Sequence, residues 1–162
     1  MNLAAEPLKT ETLMAAVDVL QRSFRPVAER LGITPENYPT HPAFQEARQF
    51  VHYLNRESVI VYLFADGVNL VGVGGWSMAR KDLGSAWLKR IAVVPEQQRR
   101  GYGAQIVQYV EERMREHGFT KSVLLCSSAD APLLRFYEAQ GYTPSSTTGA
   151  GVKRYTRMGK AL

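Results

Sequence analysis

The sequence holds a single cysteine, Cys126, so neither an internal disulfide nor a cysteine-built metal site is open to it. Its three histidines, His41, His52 and His117, are scattered without metal-ligand spacing, and no metal is expected. Long apolar runs are also missing: the longest, residues 59–65, is far too short to cross a bilayer, so no membrane partner is expected. Residues 1–20 carry Glu6, Lys9, Glu11 and Asp18 and lack a basic start followed by an apolar stretch, so they do not read as a signal peptide. No internal repeat, low-complexity tract or long linker interrupts the chain. A reducing, cytoplasmic setting is the expectation. Cys126 sits in an apolar run and reads as a packed core residue, with catalysis as the second reading.

What is present is the balance of one folded domain over residues 1–162, with 45% hydrophobic and 22% charged residues. A formal charge of +5 favours a polyanionic partner, and a nucleotide cofactor satisfies that demand as well as nucleic acid does. The basic residues are spread out, apart from Arg99–Arg100 and the tail Lys153, Arg154, Arg157 and Lys160. No basic stripe interleaved with aromatics appears, so nucleic acid is not an expected partner. A homodimer is left open.

Apolar residues recur at helical spacing over residues 10–24, through Leu13, Val17, Leu20 and Phe24. Gly32, Pro35, Pro39 and Pro42 then break the chain, and a second helix is expected with Phe44, Ala47, Val51 and Leu54 on one face. Residues 58–65 and 69–78 read as a β-hairpin around the turn pair Asp66–Gly67, and residues 85–94 as a third strand ending at Pro95. A helix over 101–117 should bury Ile106, Val110 and Met114 and close at Gly118. A strand at 121–127, a short helix at 131–140 and two weaker strands around Gly149–Gly151 complete the order, with a further strand open in residues 2–5. This is an α/β domain on a mixed, mostly antiparallel sheet flanked by helices.

The informative stretch is residues 91–104, in which a strand ends at Pro95 and Gly101 and Gly103 sit where an amphipathic helix opens. The first amides of a helix have no internal partner and the helix dipole adds positive charge, so a phosphate suits the place. Arg99 and Arg100 add charge at the same spot. Position 106 is Ile where a dinucleotide motif would want its third glycine, and no Gly-Lys-Ser or Gly-Lys-Thr end is present for a P-loop. A glycine turn entering a helix without any ligand is the plain alternative.

Gln98-x-x-Gly101-x-Gly103 resembles the phosphate-binding signature of the GNAT superfamily of acyl-CoA N-acyltransferases. A second block, residues 130–142 with Phe136-Tyr137 before Gly141-Tyr142, is similar to that family's later segment. The resemblance runs over residues 59–142. It implies that acetyl-CoA is the co-substrate, that its pantetheine arm lies along Ile91, Ala92 and Val93, and that residues Arg99, Arg100, Gly101, Tyr102, Gly103 and Ala104 cradle its pyrophosphate. It further implies that Tyr137 is the acid serving the departing thiolate, since a phenol of pKa ~10 facing a thiol of pKa ~8.5 can give a proton at little cost. Asp130 stands where many members have Asn touching the cofactor arm, and as the residue before a helix it also reads as a cap.

Some relatives place a glutamate base on a strand, where this chain has Trp87 and Leu125, neither able to take a proton; Glu57, His52, Asp82 or an ordered water chain stay open, with none singled out. The resemblance puts the acceptor wall in residues 24–57, with Glu36, Glu46 and Glu57 as carboxylates for a cationic amine and Tyr38, Phe44, Tyr53 and Trp76 as apolar lining. The implied reaction is direct acetyl transfer to a primary amine, of a small molecule or a protein, in a ternary complex. The alternative is a non-catalytic acyl-CoA-binding sensor of the same fold.

Overall fold

In the computed structural model, which describes residues 3–162, α1 (Leu13–Arg30) and α2 (Ala47–Glu57) precede the strands β2 (Ile60–Asp66), β3 (Asn69–Met78) and β4 (Ser85–Val93). Helix α3 (Tyr102–Glu116), β5 (Lys121–Ser127), α4 (Ala131–Ala139), β6 (Thr143–Thr148) and β7 (Tyr155–Ala161) follow, and a short β1 (Ala4–Pro7) comes first. The seven strands form one sheet in the order β1-β2-β3-β4-β5-β7-β6. Every pairing is antiparallel except β4 with β5. The strand left open near the start is β1, paired with β2; Asn2, where that expectation began, lies outside the described residues.

The period-two pattern of the strands explains the layers. On β2, Tyr62 and Phe64 face the side covered by α3, with Ile106, Val110 and Met114 fully buried there. Val61 and Leu63 face the opposite side, against Val17, Leu20 and Phe50 of the first two helices. Helix α3 comes close because β3 offers glycine: a Cβ on Gly74 would lie 2.6 Å from Ile106 Cγ2.

Strand β4 breaks the alternation in a way that shapes everything below. Ala86 and Leu88 pack on the α3 side, whereas Ala92 and Val94, of the same parity, pack on the α1–α2 side. The register between β3 and β4 shifts between Val73 and Gly75, so Arg90 and Ile91 together face the single residue Gly74. Arg90 takes a left-handed conformation, φ 53°. This is a β-bulge, and its extra residue flips every later side chain to the other face.

Two helix expectations need correction. The first helix does not stop near residue 24 but continues through Pro26 to Arg30, because Ala28 is buried against Ile33 and Ala43. Pro26 removes one internal hydrogen bond, and that burial outweighs the loss. The second helix begins at Ala47, where Glu46 and Gln49 form a capping box, and it buries Phe50 while leaving Val51 38% exposed. Residues 42–44 form a turn: the His41 carbonyl accepts from the Phe44 N–H, and His41 Nδ1 accepts from the Ala43 N–H at 3.2 Å.

Candidate functional site

β4 and β5 are hydrogen-bonded over only three positions, Ser85–Lys121, Ala86–Ser122 and Trp87–Val123. The far edge of β5 is paired with β7 along its whole length, so β5 cannot follow when β4 bends at the bulge. Beyond Trp87 the strands part, and a cleft of about 1420 Å³ opens between them. It exceeds the roughly 300–1,000 Å³ of an ordinary small-ligand pocket and has room for two substrates. Ile91, Ala92 and Val93 form one wall, and residues 124–127 face them.

Backbone direction alternates along a strand. The Val94 N–H donates to the Val71 carbonyl of β3 at 2.9 Å, so the peptide groups of Val93 point the other way, into the gap. Its carbonyl accepts from Ser23 Oγ and from Gln98 Nε2, each at 3.0 Å. Ala92, in register with Val73, turns its peptide groups to β3 and contributes wall rather than hydrogen bonds.

The glycine loop ends at the same cleft. Gly101 takes φ 82° as the residue before α3, and no side chain caps the helix. The Gln105 N–H is the first to find an internal acceptor, the Gly101 carbonyl at 3.2 Å, so the N–H groups of Tyr102, Gly103 and Ala104 are left for a ligand or water. Gly103 also lets α4 approach: a Cβ there would lie 3.3 Å from the Phe136 ring. The two sequence blocks thus meet at one contact. Arg99, Gly101, Gly103 and Ala104 line the cleft; Arg100 is exposed outside it. Tyr102 points its side chain inward, its hydroxyl donating to Asp66 Oδ2 at 2.6 Å, so only its backbone faces a ligand.

Tyr137 lies across the cleft, buried and T-stacked between Phe136 and Tyr142. Burial, with the nearby Cys126 and Asp130, holds its phenol well above the usual range. It stays protonated at neutral pH, but giving its proton away outright costs more than an exposed phenol would require. Cys126 also touches the cleft; burial, then Asp130, pushes its thiol up to about 12, which disqualifies it as a thiolate nucleophile at neutral pH.

Asp130 caps α4, Oδ1 accepting from the Leu133 N–H at 3.3 Å, and the same oxygen accepts from Arg30 Nη2 at 2.7 Å. Its carboxylate is 3% exposed and thus committed to protein partners, and the ion pair ties the end of α1 to the start of α4 across the cleft.

The acceptor expectations divide. Tyr38, Glu46, His52, Tyr53 and Glu57 line the cleft, as do Trp87 and Leu125. Glu36 and Phe44 do not line it, and Trp76 is buried in the other layer against His117 and Phe119. Asp82 is held elsewhere, by Arg157 at 2.8 Å and Lys121 at 3.8 Å. Glu46 is the residue before α2, its backbone N–H donating to Gln49 Oε1 at 2.8 Å, and Glu57 pairs with Arg56 at 3.0 Å. Sequence reasoning passed over Arg30, Lys89, Arg90 and Tyr155, whose hydroxyl donates to that of Tyr38 at 2.9 Å. The one available signal was the charged pair Lys89–Arg90 inside an otherwise apolar strand.

Several solved structures share this fold. PaiA N-acetyltransferase from Thermoplasma acidophilum, solved with coenzyme A, superposes with a TM-score of 0.80 at 18% identity, over 100% of both chains. The ribosomal-protein-S18-alanine N-acetyltransferase of Escherichia coli gives 0.73 at 17% identity, covering 99% of this chain and 94% of that one. Spermidine N-acetyltransferase from Vibrio cholerae, in complex with CoA and spermine, gives 0.73 at 15% identity over 98% and 95%. No curated protein matches the sequence. The acetyltransferase (GNAT) family model matches residues 16–142, a span that takes in both the glycine loop at the head of α3 and the Tyr137 helix, and the chain belongs to that family.

Proposed function

We propose that this protein transfers the acetyl group of acetyl-CoA to a primary amine, with both substrates held in the cleft at once. The observation that carries the reading is that the uncapped start of α3, through Gly101, Gly103 and Ala104, and the Tyr137 helix line the same cleft. The pyrophosphate of acetyl-CoA fits those amides, with Arg99 and Arg100 beside it, and the pantetheine arm fits the gap that Val93 faces. For the arm to bond the Val93 carbonyl, Ser23 or Gln98 must first let go of it.

The chemistry follows from those placements. The amine nitrogen, once neutral, attacks the thioester carbon; a C–N bond forms and the carbonyl becomes an oxyanion, for which the inward Val93 N–H is the nearest backbone donor in this reading. When the C–S bond breaks, the thiolate needs a proton, and the nitrogen must lose one. Tyr137 supplies a hydrogen bond to the sulfur. Because burial raises its phenol, it acts by stabilising the leaving thiolate more than by complete transfer. His52 and Glu57 stand on the acceptor wall to relay the amine proton through water.

Thermal unfolding with acetyl-CoA, NAD, ATP and short DNA tests the binding half. A ligand at ~100 times its Kd should stabilise the fold by about 2.7 kcal/mol, and only acetyl-CoA should do so. Thiol release with a panel of amines then tests transfer. Stabilisation by acetyl-CoA without release for any amine would leave the non-catalytic sensor, a reading favoured by the engagement of Glu57 and Asp130 with the protein itself.

A further inference from the structure

On the acceptor side the bulge in β4 does something a regular strand cannot. Trp87 belongs to the face turned toward α2, and Leu88 to the face turned toward α3. Where the parity flips, the two consecutive residues Lys89 and Arg90 both come to face α2 and the cleft. The Arg90 guanidinium lies 4.0 Å above the ring centre of Tyr53, a residue of α2. Burial pulls the Lys89 ammonium below its ordinary value, Glu57 opposes that shift, and Arg90 and Arg56 reinforce it.

Neither cation has a carboxylate partner among the described residues. Arg90 Nη2 reaches only Gln45 Oε1, at 3.5 Å, and its buried Nε has no acceptor at all. A buried guanidinium nitrogen without an acceptor is costly unless an anion completes it. Of the carboxylates expected to draw in a cationic amine, Glu57 is already paired with Arg56, and Glu46 sits exposed at the start of α2, away from the Arg90–Tyr53 stack. Beside Tyr53 the acceptor wall therefore presents two adjacent cations, Lys89 and Arg90, with no carboxylate bonded to either among the described residues.

Resting on the acetyl-transfer reading above, we propose that the acceptor is an amino acid: a primary amine that also carries a carboxylate, which Arg90 and Lys89 bind. Tyr53 covers one face of the guanidinium and leaves its edge for an in-plane carboxylate. That two-oxygen fit is the strongest pairing arginine makes, and lysine cannot reproduce it. Phe24, Leu31, Ile33 and Tyr38 supply an apolar wall for a side chain. Polyamines, which bring only positive charge, are repelled.

The test compares each free amino acid with its C-terminal amide, which keeps the amine and the side chain and loses only the charge, with spermidine as a third arm. For the wild-type enzyme, kcat/KM should favour the acid by about 100-fold, the scale of a desolvated charge pair losing one member. Arg90→Met should erase the preference while acetyl-CoA still raises the melting temperature as in wild type. Arg90→Lys should restore part of it. Amides or spermidine used as well as free amino acids by wild type would overturn the proposal, as would an Arg90→Met enzyme that keeps the acid preference. If Arg90→Met does not fold, the wild-type acid-to-amide ratio decides alone. Failure of acetyl-CoA to bind would instead strike at the acetyl-transfer reading itself.

Discussion

In the reading proposed above, the groups that matter on the donor side of the cleft are backbone amides, at Val93 and at residues 102–104; on the acceptor side they are side chains, Tyr53, Lys89, Arg90 and the residues of α1 and α2. The difference has a physical root. A pyrophosphate can be held by any polypeptide that presents a helix start with glycines near it, so little side-chain chemistry is needed. An acceptor must be told apart from other amines, and only side chains do that. The acceptor side is accordingly held by polar and aromatic contacts that titrate and mutate readily, and the donor side by packing and main-chain geometry.

The largest expected effect exploits titration. His41 sits among Phe24, Tyr38 and Phe44 at 6% exposure, and burial, then Arg90, lowers its pKa from 6.5 to about 4. The unfolded chain takes up the proton first as pH falls. Stability from this group is therefore complete above pH 6.5 and lost on the way down to about 4, by up to about 3 kcal/mol. Chemical denaturation across that window should show the loss, and His41→Asn, which keeps an acceptor for the Ala43 N–H, should flatten it. Hydrogen exchange should show residues 33–45 loosening before α3; a uniform loss would break the comparison between the two sides.

Next comes the backbone cradle. Gly103→Val drives a branched side chain into Phe136, only 3.3 Å from the Cβ position, and should weaken acetyl-CoA binding roughly 100-fold by calorimetry. Gly101→Ala meets nothing within 4 Å and pays only for φ 82°, about 1 kcal/mol of stability. Equal effects at both positions would mean that packing between α3 and α4 does not hold the cradle.

Tyr137→Phe should lower the maximal rate roughly 10-fold and leave acetyl-CoA affinity unchanged, as suits a hydrogen bond to a leaving group. If turnover is untouched for every amine, the role assigned to the phenol is wrong. The smallest effect belongs to the strut between the sides. Asp130→Asn keeps the cap on α4 but loses the charge facing Arg30, which is half exposed, so it should cost no more than about 1 kcal/mol. Asp130→Ala removes the cap as well, for about 1 kcal/mol more in the melting curve.

How legible these sides were in the sequence follows the same division. The strand at 121–127 and the hairpin strand at 69–78 were read with their observed bounds, and the helix from 101 with its buried Ile106, Val110 and Met114. Periodicity and turn pairs are local signals, and so is a glycine-rich helix start. Phe50 was missed in favour of Val51 because the start of α2 depends on a capping box that competes with turns after Pro42. Arg90 was missed because a bulge is a property of two strands in register, and nothing in residues 85–94 alone announces it.

The amino-acid order by itself determined the kind and order of the main elements, the α/β class and a phosphate-suited loop ahead of α3, because these rest largely on contacts within a few residues; the bounds of α1 and α2 did not. Only the tertiary structure decided that β4 and β5 separate after three paired positions, that Lys89 and Arg90 share a face, and that Trp76 belongs to the far layer. Those outcomes depend on partners distant in the chain: Gly74 across the bulge, β7 holding β5 in place, and α2 bringing Tyr53 beneath the guanidinium.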